Sequence, residues 1–138
     1  MLDGVSLKRL ASCDPRIINV VMAVETRFPI KVLCGHRTQT EQDEAFNAVP
    51  KRSQTPWPQS KHNSLPSLAV DIVPLEHVGG KEFIDWNDRE RMTLLAGFML
   101  TEGFHQGVKL RWGGDWNQDT ATKDNKFDDL PHFEIVEV

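Results

Sequence analysis

The chain has 138 residues, of which 39% are hydrophobic and 26% are charged, as in an ordinary globular protein. Its 16 basic and 20 acidic side chains give a net charge of −4, which argues against a non-specific nucleic-acid binder. No apolar stretch is long enough to cross a bilayer, and the N-terminus lacks the basic and apolar regions of a signal peptide. We therefore expect one domain, residues 1–138, that is made in a cytoplasm and does not insert into a membrane.

Two cysteines, Cys13 and Cys34, are too far apart for a CxxC pair and are distant in sequence from the histidine motifs described below. In a protein made in a reducing compartment, such cysteines are usually reduced thiols. We expect neither to be a zinc ligand or a nucleophile.

The first half of the chain predicts two helices, a strand and a long loop. Asp14-Pro15 is a good helix start, and the apolar residues that follow, up to Phe28, recur at helical spacing. Residues 31–34 predict a strand, and a capping box at residues 38–41 predicts a second helix over residues 39–48. Residues 49–67 contain four prolines among polar residues, which predicts a functional or disordered loop.

The second half predicts a third helix and three more strands. Residues 68–73 predict a strand that contains Asp71, and residues 76–85 predict a polar excursion. A cap at residues 87–90 begins a helix that we expect to end at Gly103. Short strands are predicted at residues 109–112 and 132–138. Because helices and strands are mixed without a regular βαβ repeat, we expect an α+β fold with about three helices and a small, largely antiparallel sheet.

Two histidines stand out because each is accompanied by a turn and a carboxylate. His62 precedes Asp71 across a proline-containing turn, and Asp129 lies three residues before His132. Two imidazoles and one carboxylate, with a position left for water, form the ligand set of a catalytic zinc site, and a further carboxylate is a candidate general base. Spacing alone leaves a second explanation open, namely ordinary surface or core histidines.

Four ordered segments resemble one known family, the zinc D-Ala-D-Ala peptidases, which include VanX, VanY and the phage L-alanyl-D-glutamate endolysins. Residues 60–71 resemble its S-x-H-x-x-G-x-A-x-D motif, and residues 129–132 resemble its acid-x-x-His motif. Residues 32–42 are similar to its G-x-R-(S/T)-x-x-x-Q segment, and residues 110–116 are similar to its R-W-G-G-D-W segment.

The resemblance implies a fold like that of the Hedgehog and DD-peptidase domains, and a role for each motif residue. It implies that His62, Asp71 and His132 bind zinc and that Asp129 moves the proton. Arg37 would stabilise the oxyanion or hold a substrate carboxylate.

The residues themselves leave alternatives open for several of these roles. Asp129 could instead cap a turn, with Asp128 as its rival for the catalytic role, and Arg37 could form a surface ion pair. Ser60 and Trp116 are weaker candidates for lining a substrate cleft, and on composition alone Trp116 fits a core aromatic better.

One segment departs from the family pattern. Nine positions lead from His62 to Asp71, more than in the family motif, and Ser67 stands where the motif has glycine. We expect Pro66 to supply the turn, so the change concerns the loop more than the ligands.

The function implied by the resemblance is that of a zinc-dependent peptidase acting on the stem peptide of peptidoglycan, most similar to phage L-alanyl-D-glutamate endolysins. Such an enzyme is made in the host cytoplasm and reaches the wall through a holin-made hole, and we expect a monomer. Two alternatives stay open. One is a D-Ala-D-Ala carboxypeptidase or dipeptidase, and the other is a non-catalytic wall-binding module with a structural metal.

Overall fold

The computed structural model describes residues 1–137, which form four α-helices, six β-strands and a single 3-10 turn. The helices are α1 (Gly4–Ala11), α2 (Pro15–Glu25), α3 (Gln39–Asn47) and α4 (Arg89–His105). The strands are β1 (Ile30–Cys34), β2 (Ala69–Pro74), β3 (Glu76–Val78), β4 (Lys81–Phe83), β5 (Leu110–Gly113) and β6 (Asp129–Ile135). The 3-10 turn spans Lys61–Asn63.

Four strands form an antiparallel sheet in the order β1-β2-β6-β5, while β3 and β4 form a separate hairpin. The predicted α+β fold with a largely antiparallel sheet is therefore confirmed. Helices α2 and α4 contact each other, and α4 also contacts β2, β5 and β6. No helix within residues 1–137 is long and apolar enough to span a membrane.

Alternation along the strands divides the sheet into two faces, because successive side chains of a strand point to opposite sides. The helix-covered face supplies much of the core, with Val70, Ile72, Leu110, Trp112, Phe133 and Ile135. The opposite face carries polar side chains at the intervening positions, namely Asp71, Arg111, His132 and Glu134. One face thus stabilises the fold and the other is available for chemistry.

The predicted helix starts are correct for α2 and α3. The Asp14 side chain accepts a hydrogen bond from the Arg16 N–H, and Thr38 with Glu41 forms the expected capping box. Helix α1 was not predicted. It begins after Asp3, whose side chain accepts from the Ser6 N–H.

Helix α4 does not end at Gly103 as predicted. It continues to His105, and Gly107, at a φ of 74°, supplies the left-handed residue after it. Gly103 is instead a contact position, since a Cβ there would lie 2.8 Å from the Val108 carbonyl oxygen. The glycine is needed for close packing rather than for termination.

Two other predicted segments differ from the structure. The polar excursion contains the β3–β4 hairpin, whose turn is made by Gly79 and Gly80, both with positive φ. The last strand begins at Asp129, earlier than predicted, and ends at Ile135. Val138, the end of the predicted strand, lies outside the described residues.

Candidate metal and catalytic site

The register of the sheet places Asp71 opposite His132. These two residues are direct partners in the antiparallel β2–β6 pair, and both face away from the core. Residues directly opposite each other on one face of such a pair have their side chains in contact. Accordingly, Asp71 Oδ1 lies 3.2 Å from His132 Nδ1.

His62 reaches the same point from the 3-10 turn. Ser60 caps this turn, because its hydroxyl accepts a hydrogen bond from the His62 N–H at 3.2 Å. The side chain of His62 is buried, and its Nε2 lies 3.1 Å from Asp71 Oδ1 and 3.3 Å from His132 Nδ1. Three potential ligand atoms therefore form a nearly equilateral triangle.

The triangle fits a zinc ion. Ligand atoms about 2.0–2.1 Å from a tetrahedral zinc lie roughly 3.3–3.4 Å from one another, close to the three distances found here. Two imidazole nitrogens and one carboxylate oxygen are also a donor set that zinc prefers in catalytic sites. The predicted ligands His62, Asp71 and His132 are thus brought together, in an arrangement that would leave a fourth position free.

The other nitrogen of each imidazole has its own acceptor. His62 Nδ1 lies 2.7 Å from the Gly35 carbonyl oxygen, and His132 Nε2 lies 2.8 Å from Glu134 Oε1. Both are acceptors only, so the outer nitrogen of each ring carries the proton. In a neutral ring this leaves the lone pair on the inner nitrogen, which is the tautomer a metal ligand requires.

The carboxylates dominate the electrostatics of the site. Burial alone disfavours the charged imidazoles, but Asp71 outweighs it and raises the pKa of His62 to about 10. His132 is buried too, yet hydrogen bonds to Asp71 and Glu134 raise its pKa to about 9. The pKa of Asp71 is correspondingly lowered, despite its burial. A metal ion would have to displace the imidazole protons, because only neutral imidazole is a ligand.

Asp129 lies at the rim of this triangle. Its Oδ2 is 4.0 Å from His132 Nδ1, and burial, followed by repulsion from Asp71, raises the pKa of Asp129 to about 6. Gly113 permits this placement, since a Cβ there would lie only 2.0 Å from the Asp129 carbonyl oxygen. Asp128 instead pairs with Arg89 at 2.9 Å. Asp128, the alternative candidate for the general base, is therefore paired away from the triangle.

Arg37 is held beside Asp71 by a buried glutamine. Its Nη2 lies 3.7 Å from Asp71 Oδ2, and its Nη1 donates to Gln42 Oε1 at 2.9 Å. Gln42 is fully buried and also donates to Ser53 Oγ at 2.8 Å and to the Thr55 carbonyl. Gln42 is the final glutamine of the motif-like segment of residues 32–42, but no part in the site was predicted for it. Its position in the motif was the available signal.

The weaker candidates Ser60 and Trp116 both line the cleft beside the triangle. The ring centroid of Trp116 lies 5.5 Å from that of His132, and its Nε1 donates to the Phe127 carbonyl. Trp112, in contrast, is buried in the core. The reading of Trp116 as a core aromatic is therefore wrong.

Cys34 is close to the site although it is distant from His62 in sequence. Its Sγ lies 3.8 Å from His62 Nδ1 and 3.7 Å from Arg37 Nη2. With Asp71 and His62 it could form another metal-binding group, but its Sγ approaches the Nδ1 side of the His62 ring, where Nδ1 already lies 2.7 Å from the Gly35 carbonyl oxygen. The triangle of inner atoms is the better ligand set. The register of β1 against β2, which pairs Cys34 with Asp71, explains the proximity.

The longer spacing between His62 and Asp71 is accommodated at the surface. Ser64, Leu65 and Pro66 are exposed, whereas Ser67 is fully buried. The Ser67 hydroxyl donates to the Ala69 carbonyl at 2.6 Å and so ties the loop to the start of β2. The extra residues therefore leave Asp71 opposite His132.

A cleft of about 400 Å³ opens over the triangle, within the usual size range of ligand pockets. Its walls come from the long loop, the 3-10 turn, β5, β6 and the segment before β6. A groove of similar volume lies between α2 and α4, but His105 is the only histidine among its lining residues and none of the triangle lies there. Of these two cavities, the one lined by His62 and His132 contains these two candidate metal ligands and Asp129.

Comparisons with known proteins found a matching family, a related peptidase and a similar solved structure. Residues 1–136 match the family model of the phage L-alanyl-D-glutamate peptidases. The chain is 30% identical over 112 residues to the L-alanyl-D-glutamate peptidase of Escherichia phage T5, and the match covers 81% of this chain and 78% of that protein. Its fold is similar to the crystal structure of the Serratia marcescens L-Ala D-Glu endopeptidase ChiX. That comparison has a TM-score of 0.72 and 24% identity, and it covers 99% of this chain and 90% of that one.

Proposed function

Because the chain belongs to the phage L-alanyl-D-glutamate peptidase family, we propose that it is a zinc-dependent peptidoglycan peptidase that cuts stem peptides between L-alanine and D-glutamate. The observation that carries the proposal is the triangle of His62 Nε2, Asp71 Oδ1 and His132 Nδ1 at the base of a cleft. We further propose that the chain works as a single peptidase domain and as a monomer.

His62, Asp71 and His132 would hold the metal through their inner atoms, while Gly35 and Glu134 orient the two rings. A zinc ion bound there would supply Lewis acidity, polarising the scissile carbonyl and lowering the pKa of water towards ~7. Because the protein side chains occupy one side of the triangle, the substrate would enter from the cleft.

Asp129 is the general base in this proposal. It takes a proton from the attacking water and passes it to the leaving amine of D-glutamate. Burial raises the pKa of Asp129 to about 6, so its carboxylate is a stronger base than an exposed one and is still ionised near neutral pH. The neighbouring Asp128 cannot replace it without giving up Arg89.

Arg37 stabilises negative charge in this proposal. Its guanidinium lines the cleft beside Asp71, and the hydrogen bond to Gln42 limits its rotation. A guanidinium fixed in advance stabilises a developing oxyanion, or holds a substrate carboxylate, without reorganising during the reaction.

Two alternatives remain testable. A wall-binding module with a structural metal would need neither Asp129 nor Arg37 in the cleft, and structural zinc sites usually have four protein ligands. A D-Ala-D-Ala carboxypeptidase would share the metal site and differ in product. We place synthesis in the host cytoplasm and action at the cell wall after holin-type release, by analogy with phage endolysins.

The test is a digest of purified sacculi with and without a zinc chelator, with new amino termini identified by mass spectrometry. We expect new D-glutamate (or D-isoglutamine) termini that disappear with chelator and return when zinc is added back. Released D-alanine would move the assignment to a carboxypeptidase. Products that persist in chelator, or an active Asp129→Ala variant, would contradict the proposed mechanism.

A further inference from the structure

The cleft carries more positive side chains than its catalytic role requires. Lys61 and Arg111 both contact Glu134, at 3.4 and 2.7 Å from its Oε2. Lys61 also donates to the Ile135 carbonyl. These two cations are therefore engaged in holding Glu134, and through it His132.

Arg52 is the cleft cation without such a partner. Arg37 has Asp71, as described above, but the guanidinium of Arg52 forms no ion pair or hydrogen bond with any group in residues 1–137. Its side chain is exposed and forms part of the cleft wall. A free guanidinium beside a reaction centre is available for a charged group on the substrate.

The backbone at Arg52 is fixed, although its side chain is free. The N–H groups of Arg52 and Ser53 both donate to the Ala45 carbonyl, at 3.0 and 3.2 Å. Ser53 Oγ in turn accepts from the buried Gln42, which also binds Arg37. The backbone at Arg52 is therefore connected to Arg37 through hydrogen bonds that involve Ser53 and Gln42.

The positive character is local to the cleft. The whole chain has a net charge of −4, yet four cations line the cleft against two carboxylates, Asp129 and Glu134, and a third carboxylate, Asp71, lies beside Arg37. The positive charge in the cleft favours binding of an anionic ligand there. The net negative charge of the whole protein disfavours non-specific binding to polyanions.

We propose that Arg52 binds a free carboxylate of the stem peptide and so makes the protein prefer unamidated stems. This inference rests on the proposed peptidase function. A stem in which D-glutamate is linked through its γ-carboxyl group, and in which the third residue is a diamino dicarboxylic acid, has two internal carboxylates that Arg52 could bind. They are the α-carboxylate of D-glutamate and the side-chain carboxylate of the third residue. Arg52 is a specificity residue in this proposal, because it takes no part in breaking the bond.

The test measures kcat/KM on three synthetic stem peptides. One is unamidated, one has D-isoglutamine in place of D-glutamate, and one is amidated at the third residue. We expect the wild-type protein to prefer the unamidated peptide over one of the amidated peptides by about tenfold, the usual worth of one exposed charge-assisted hydrogen bond. The amidated peptide that is cut poorly identifies the carboxylate, and the preference should weaken at high salt.

Substitutions assign the preference to Arg52. In Arg52→Gln we expect the ratio between the peptides to fall to about one, through a higher KM on the unamidated peptide. Lys51→Gln is the matched control, because it removes the same charge one residue away, where the Lys51 ammonium contacts Phe46 outside the cleft. It should keep the full ratio, and Arg52→Lys should keep part of it.

The inference is overturned if the wild-type protein cuts all three peptides equally, or if Arg52→Gln keeps the wild-type ratio. Failure of the proposed function looks different. In that case no peptide is cut between L-alanine and D-glutamate by the wild-type protein, whatever its amidation.

Discussion

Glu134 offers a sharp test of how the metal site is held together. Its carboxylate is buried, accepts from His132 Nε2 at 2.8 Å and from Arg111 Nη2 at 2.7 Å, and lies 3.4 Å from Lys61 Nζ. Burial opposes ionisation, but the hydrogen bonds from His132 and Arg111 hold the pKa of Glu134 at about 2. The group is therefore ionised throughout any practical assay range.

The expected size of the effect follows from these contacts. Removing the partner of a ligand histidine typically costs 10- to 100-fold in metal affinity, or about 1.4–2.7 kcal/mol. Glu134→Gln keeps an acceptor for the His132 N–H but loses the charge, so we expect about tenfold. Glu134→Ala loses both and should approach about 100-fold.

The assay is competition for zinc against a chromophoric chelator, with peptide hydrolysis then measured at saturating zinc. Glu137→Gln is the matched control, because Glu137 is near the same chain end but exposed, and it pairs with Arg16 rather than with His132. Saturating zinc should restore much of the activity of Glu134→Gln. Wild-type zinc affinity in Glu134→Ala would show that zinc binding by His132 does not depend on Glu134.

Three further predictions concern the catalytic groups. Asp129→Asn should lower kcat by at least about 100-fold and leave zinc affinity nearly unchanged, whereas Asp128→Asn should keep most of the activity. Hydrolysis rates measure the activity of the two variants, and competition with a chelator measures their zinc affinity. The acidic limb of kcat/KM should lie at or below about pH 6. Asp129 must be ionised to act as a base, burial raises its pKa to about 6, and a bound cation would lower the pKa from that value. A limb above pH 7 would exclude Asp129 as the base. Gln42→Leu should lower the melting temperature and also kcat/KM, because it leaves several buried groups unpaired, each costing about 1–3 kcal/mol, and releases Arg37. Gln39→Leu, exposed on the same helix, should change neither.

Local signals were enough to predict several elements of the fold. Asp14-Pro15 and the Thr38 capping box mark helix starts by hydrogen bonds within a few residues, and such bonds are readable in sequence. The helix end predicted at Gly103 was wrong because a glycine near a helix end has two possible roles. It can end the helix or, as here, allow a neighbouring backbone to approach.

Long-range register explains what could not be predicted. The residues around His62, Asp71 and His132 could be singled out from local motifs, but their contact depends on Asp71 pairing with His132 across strands far apart in the chain. The proximity of Cys34 depends in the same way on the β1–β2 register. Helix α1 is short and begins at a glycine, so its local pattern was weak.

We propose that His62, Asp71 and His132 bind one zinc ion on which hydrolysis depends. The metal content of the purified protein, measured by mass spectrometry in the wild type and in Asp71→Ala with folding checked by circular dichroism, tests this binding directly. We expect about one zinc per chain in the wild type, and a folded Asp71→Ala protein that has lost both zinc and activity. A wild-type protein that is active without metal, or an Asp71→Ala protein that keeps its zinc, would contradict the proposal.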